Sequence, residues 1–175
     1  IARENLMRYN FEQCFRWLMV HEGGFVNHPE DPAGMTNMGI TRATLEGYLG
    51  REVSEHEMRT LSKDVAKLIY KDVYWDFIEG DDLPSGVDYA TFDWAVNSGA
   101  VVAAKALQRV VGVAADGIIG PITMAAVQHA YPEEVVEDLK DDREDFYRSL
   151  PHFTTFGKGW LRRNEEVYTN SMMLL

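Results

Sequence analysis

The chain of 175 residues has a single cysteine, Cys14, which rules out an internal disulfide framework and a cysteine-based zinc site. Positive charge is also scarce: 17 Lys plus Arg stand against 28 Asp plus Glu, a net charge of −11. Without a basic stripe to neutralise phosphates, nucleic acid is excluded as a partner. Simple electrostatic adhesion to an anionic membrane or wall polymer is disfavoured for the same reason. No apolar run approaches the length of about 20 residues that spans a bilayer. The histidines His21, His28, His56, His129 and His152 form no H-E-x-x-H pair, and no cysteine or acidic partner completes a metal set. No metal or other cofactor is therefore expected. Internal repeats and low-complexity linkers are missing too. The first residue is Ile1 rather than Met, so the start of the chain decides nothing about a targeting segment.

What is present is enough apolar material for a core. Hydrophobic residues make up 46% and aromatic residues 11%, which excludes a disordered chain. The length fits one compact domain or two small subdomains, able to bury roughly 70% of the unfolded surface. The apolar spacing is helical. Met7, Phe11, Cys14, Phe15, Leu18 and then Glu22 fall on one face of a helix predicted from about Asn5 to Glu22. Gly23-Gly24 stops it, with glycine supplying a left-handed C′ position. Residues 25–40 read as a turn-rich excursion with room for short strands. Thr41, Ser54 (with Glu57 three residues on) and Ser62 are expected helix caps, the first helix carrying Leu45, Tyr48 and Leu49 up to Gly50. The helix after Ser62 places Val65, Leu68, Ile69 and Val73 in one row. Further helices are predicted from about Ser85 to Asn97, up to about Val111, from Pro121, from Pro132 to Leu150 with Val135, Leu139, Phe146 and Leu150 inward, and at the C-terminal end. The fold class is mainly α, with seven to nine helices and a loop or small hairpin after the first. The weakest seam lies near Gly99 and reads as a hinge.

Glu22 is the residue whose placement suggests chemistry. A carboxylate on an apolar row is desolvated, which favours its protonated form. A general acid working near neutral pH needs that. The adjacent glycines leave room for something bulky to approach. Spacing alone leaves a plainer reading open, an ordinary exposed Glu at a frayed helix end. Asp31 lies nine residues after Glu22 and Thr36 five after Asp31. A loop folded back over the helix end would set a carboxylate and a hydroxyl opposite Glu22, which is the equipment of glycoside hydrolysis. Turn chemistry explains the same Asp, Thr and Asn residues without any reaction, and both readings stand at this point. Elsewhere the bland alternatives are stronger. Trp75 and Trp94 could stack on sugar rings but lie in helical rows that suit a core. Asn97-Ser98 could bond a glycan or simply end a helix. Lys158, Arg162 and Arg163 could meet stem-peptide carboxylates or form a solvated helix face. Cys14 suits a small core position, and His21 points off the apolar row.

The string from Glu22 to Thr41, EGGFVNHPEDPAGMTNMGIT, resembles the leading motif of glycoside hydrolase family 108, lysozyme-like N-acetylmuramidases of phage and bacterial origin, some first labelled secretion activator proteins. The resemblance continues at Tyr74-Trp75, Gly86 to Ala90, Phe92-Asp93, Ala95 to Gly99, Leu107 to Arg109, Asp116 to Pro121 and Phe156 to Arg163, and so spans nearly the whole chain. Ala33 replaces a Gly of the pattern, and His28 stands where the family more often has Asp. The spacing of Glu22, Asp31 and Thr36 is also similar to that of phage-type lysozymes, one residue shorter between Asp and Thr.

The resemblance implies a two-lobed lysozyme-like fold, with a catalytic domain at 1–98 and a helical peptidoglycan-binding-like domain at 99–175. It implies cleavage of the β-1,4 bond between N-acetylmuramic acid and N-acetylglucosamine. Glu22 would be the catalytic acid and Asp31 the second carboxylate, aided by Thr36 or Asn37. Asn37, Tyr48, Trp75 and Asn97 are the expected substrate contacts, and peptidoglycan glycan strands the expected partner. Action on the cell wall, in the periplasm or outside the cell, would follow. The competing expectation is a non-catalytic murein-binding or secretion-accessory protein using the same groove. An amidase or endopeptidase would want a metal set or an activated cysteine, and neither is visible. Charge is less of an obstacle to a wall substrate than it first seems. Eight acidic and two basic residues lie between Glu133 and Asp145, so that run on the polar face of one helix carries −6 of the total.

Overall fold

The structure, a computed structural model, describes residues 2–27 and 34–175, with side chains from Asn10 onward. Among the described residues the order is α1 (Ala2–His21), β1 (Thr36–Asn37), β2 (Ile40–Thr41), α2 (Arg42–Leu49), α3 (Glu55–Arg59), α4 (Lys63–Ile69), a π-helical turn (Tyr70–Trp75), α5 (Val87–Ser98), α6 (Ala100–Val110), α7 (Pro121–His129), α8 (Pro132–Ser149) and α9 (Phe153–Leu174). The fold is mainly α, with one small antiparallel sheet. It contains two compact units, one of Glu12–Val73 and one of Ile1–Phe11 together with Tyr74–Leu175. Gly99, the expected seam, lies inside the second unit between α5 and α6.

In the Glu12–Val73 unit, the apolar row of α1 buries Cys14, Phe15 and Leu18. Burying a side chain the size of Phe15 or Leu18 stabilises by roughly 1.5–3 kcal/mol each. Ile40, Leu45, Val53, Met58, Ala66, Ile69 and Tyr70 complete that core, and Lys67 pairs with Glu12. All three expected caps form. Thr41 Oγ1 accepts from Thr44 N at 3.1 Å, Ser54 and Glu57 close a capping box, and Ser62 Oγ accepts from Val65 N at 3.2 Å. Gly50 closes α2 in the left-handed region.

Four expectations about elements need correction. The helix α1 stops at His21, and Glu22 follows it with its N–H bonded to Leu18 O at 3.2 Å. Neither Gly23 nor Gly24 takes a positive φ, so the helix ends without a left-handed C′ glycine. Leu68 is exposed while Ala66, Ile69 and Tyr70 face the core. The inner row of α4 is thus Ala66, Ile69 and Tyr70; Tyr70 N bonds both Ala66 O and Lys67 O, and the chain continues into the π turn Tyr70–Trp75. In α8 the inner row runs Val135, Leu139, Arg143, Tyr147 at steps of four, with Phe146 and Leu150 only half-buried.

The second unit is organised around α5, which packs against α6, α8 and α9. Every residue from Val87 to Ala95 is buried, as expected for a helix enclosed on all sides. Phe11, Trp75 and Phe92 form a mutual edge-on cluster with centroids 5.3–6.0 Å apart. Two carboxylates are sunk in this helix. Asp93 accepts from Arg143 Nη2 at 2.7 Å and from Arg163 Nη2 at 3.0 Å. Burial works to raise its carboxyl, but the attraction of Arg143 and Arg163 and their hydrogen bonds outweigh that and hold it below the usual range. Asp88 accepts from Gly86 N, Tyr89 N and Asn10 Nδ2 at 2.7–2.9 Å. Burial nevertheless pushes it up to about 6, because it has no cation to offset desolvation among its bonded partners.

Candidate active site

The Glu22 carboxyl stands at the end of the apolar row of α1, four residues after the fully buried Leu18, and is itself half-buried. What faces it is built by the chain that follows. Val26 and Thr36 exchange backbone hydrogen bonds at 2.8 Å in both directions. The excursion therefore closes on itself within ten residues and delivers the chain into β1. β1 and β2 pair antiparallel, Thr36 with Thr41 and Asn37 with Ile40. Met38 and Gly39 make the two-residue turn with φ of 49° and 76°. Positive φ at both central positions is the type I′ geometry that suits a tight hairpin.

That turn meets Glu22. A Cβ placed on Gly39 would sit 2.3 Å from Glu22 Oε2 and 2.7 Å from its Cδ, and 2.7 Å from the Tyr70 hydroxyl oxygen. Any side chain there would have to displace the Glu22 carboxyl or the Tyr70 hydroxyl, in a backbone conformation that already favours glycine. The Tyr70 hydroxyl donates to Met38 O at 2.7 Å, and its buried ring lies against Phe15 with centroids 5.9 Å apart. Asn37 Nδ2 donates to Met58 O at 2.8 Å and Arg59 O at 3.4 Å, tying the hairpin to α3. The expected contribution of Gly23 and Gly24 is different from the observed one. A Cβ at either would meet nothing within 4 Å among the described residues, so the close approach belongs to Gly39.

The other sequence candidates fall in different places. Thr36 is half-buried in β1, in the same hairpin. Asp31 lies outside the described residues. Asn37 is 7% exposed and its amide is engaged with backbone carbonyls, so its role is to hold the hairpin. Tyr48 is half-buried in α2 and donates to Asp72 Oδ2 at 2.7 Å, a bond that raises its phenol above the ordinary range. Trp75 is fully buried, with Nε1 donating to Asp81 Oδ1 at 2.8 Å. An indole with no exposed face cannot stack on a sugar, so Trp75 is a core residue and not a substrate contact. Asn97, in the other unit, is exposed and accepts from Tyr147 Oη at 2.6 Å. Arg163 is not part of a free basic cluster, because it is bound to Asp93.

Gly39 and Tyr70 were not singled out by residue type or spacing. Residues 25–40 read as turn-rich, but nothing local says what a turn packs against. Among the described residues no cluster of His, Cys, Asp or Glu could hold a metal ion, and no helix is long and apolar enough to cross a membrane.

A mainly α chain with a carboxyl at the end of its first helix, facing a small hairpin, is of the lysozyme-like class. Residues 15–99 match the family described as Glycosyl hydrolase 108, and residues 102–165 the one described as Predicted Peptidoglycan domain. Among solved structures, SagA of Brucella abortus is similar at 44% identity and a TM-score of 0.89, over 95% of this chain and 96% of that one. Comparison with curated proteins gives no significant match. The chain belongs to glycosyl hydrolase family 108, with a peptidoglycan-domain match in its second half, and its function is peptidoglycan-related.

Proposed function

We propose that the chain is an N-acetylmuramidase that hydrolyses the β-1,4 bond between N-acetylmuramic acid and N-acetylglucosamine in peptidoglycan. The observation that carries this reading is Glu22, a half-buried carboxyl ending an apolar helical row and walled by the backbone of Gly39, in a chain of a glycosyl hydrolase family. Glu22 gives its proton to the glycosidic oxygen as the bond to the anomeric carbon breaks. Asp31 is the second carboxylate, and Thr36 helps to hold the attacking water. A carboxyl separation of roughly 6.5–9.5 Å would mean inversion at the anomeric carbon, and one near 5 Å retention through a glycosyl-enzyme. Tyr48 and Asn97 are the remaining candidate glycan contacts. Residues 1–98 carry the catalysis and 99–175 bind peptidoglycan, so the protein acts on the cell wall.

Glu22→Gln tests the reading, since the amide keeps the shape and lacks the acidic proton. The variant should fold as the parent does, by circular dichroism and melting, and lose at least about 100-fold of its lysis of murein. Unchanged turnover would remove Glu22 from the mechanism. A zymogram should show a clearing band for the parent chain; retention on murein without clearing would make it a non-catalytic binder. Mass analysis of the released fragments should find new reducing muramic acid ends.

A further inference from the structure

The turn beside Glu22 is held more firmly than a two-residue hairpin requires. Met38 has a side chain yet sits at φ 49°, in the left-handed region where non-glycine residues are strained. Strain of this kind persists where the surroundings over-determine it, and it collects at functional sites. Here the hold on Met38 is specific. Its carbonyl receives the Tyr70 hydroxyl at 2.7 Å, and Tyr70 is anchored in the core against Phe15. Tyr70 also opens the π-helical turn Tyr70–Trp75, and single π turns inside helices recur at functional sites. These features meet around one atom. The Cα of Gly39 carries no side chain, and the position a Cβ would occupy is 2.3 Å from Glu22 Oε2 and 2.7 Å from the Tyr70 oxygen. Glu22, Gly39 and Tyr70 therefore stand in direct succession, carboxyl, backbone and phenol.

We propose that Tyr70 is a positioning residue for the general acid. Its hydroxyl pins the Met38 carbonyl, and the pinned turn presents Gly39 as a rigid wall that fixes the Glu22 carboxyl in the direction needed to protonate the leaving oxygen. The inference rests on the reading of Glu22 as the general acid. A misplacement of about 1 Å at such a group costs on the order of 100-fold in rate.

The test separates proton delivery from folding by changing the leaving group. A murein oligosaccharide is a poor leaving group as an alkoxide and needs the acid to leave as the alcohol. A 4-nitrophenyl glycoside of the same glycan leaves as a stabilised phenolate and hardly needs it. Tyr70→Phe keeps the ring and removes the hydroxyl. On the oligosaccharide it should lose about 10- to 100-fold in kcat, with KM within about twofold of the parent because glycan contacts are unchanged. On the nitrophenyl glycoside it should stay within about threefold of the parent, because the step that Tyr70 supports is bypassed there. Gly39→Ala, which drives a methyl into the carboxyl, should show the same pattern more severely. A Tyr70→Phe variant that slows on both substrates alike, or on neither, overturns the proposal, since a merely structural role lowers the active fraction equally for both. Glu22→Gln run in parallel keeps the two readings apart. If it still cleaves the oligosaccharide, the reading of Glu22 fails; if it is inactive there while Tyr70→Phe is normal, only the role of Tyr70 fails. A parent chain that cleaves neither substrate overturns both.

Discussion

At the scale of single residues, the structure separates two buried carboxylates that look alike in the sequence. Asp88 and Asp93 lie five positions apart on one helix, yet burial raises the first to about 6 and the two arginines hold the second low. Their effects on stability have opposite signs. A carboxyl whose pKa is higher folded than unfolded binds more protons in the folded state, so stability falls as pH rises through that interval. For Asp88 the interval runs from 3.8 to about 6, and the full effect is about 3 kcal/mol at about 1.4 kcal/mol per unit. Asp88→Asn keeps an acceptor for Gly86 N and Tyr89 N and abolishes the titration. Urea unfolding at pH 4.5 and 7.5 should show the parent losing about 2 kcal/mol relative to this variant over that range. A parallel pH dependence in the two proteins would contradict the assignment. Asp93 acts the other way: its contribution is present above the unfolded carboxylate pKa and is lost as pH falls through its lowered value.

At the scale of elements, Asp93 joins three helices. From α5 it receives Arg143 of α8, only 2% exposed, and Arg163 of α9, 16% exposed. Removing its charge leaves Arg143 buried and uncompensated, which costs about 3–5 kcal/mol. Asp93→Asn should lower the urea midpoint correspondingly at an unchanged slope, whereas a loss below about 1 kcal/mol would mean that water replaces the carboxylate. Neither partner was legible as such. Arg143 looks like one of two cations in an acidic run, although its spacing of four from Leu139 and from Tyr147 places it on the inner row. Features that depend on neighbours in sequence were legible: the caps at Thr41, Ser54 and Ser62, the proline starts of α7 and α8, and Glu22 at the end of its row. Features that depend on distant partners were not. Tyr70 carries no signal of its own in the sequence, because its hydroxyl meets Met38 O, 32 positions away. Trp75 reads as a core residue or a sugar platform, and its complete burial decides for the core.

At the scale of the whole molecule, the charge of −11 sets an expectation about how a wall polymer is held. Its densest part is α8, and the arrangement there leaves the acids outward. Glu133, Glu134, Glu137, Asp138, Asp141 and Asp145 are exposed, while Arg143 is turned inward and spent on Asp93. Asp142 and Glu144 are each matched by an arginine, Arg109 and Arg148. Murein carries carboxylates of its own on its stem peptides, so the net charges of protein and substrate oppose each other. If hydrogen bonds and apolar contacts along the sugars hold the glycan, salt has little favourable attraction to screen. At an ionic strength of 0.01 M charges act over about 30 Å, and at 0.15 M over about 8 Å. Raising salt across that range should therefore leave the rate of murein lysis flat or raise it modestly, as the mutual repulsion is screened. The measurement is turbidity loss of purified murein at fixed pH and protein concentration. A steep fall over the same range would show that cation-to-carboxylate attraction dominates binding, which the exposed acids of α8 give no reason to expect.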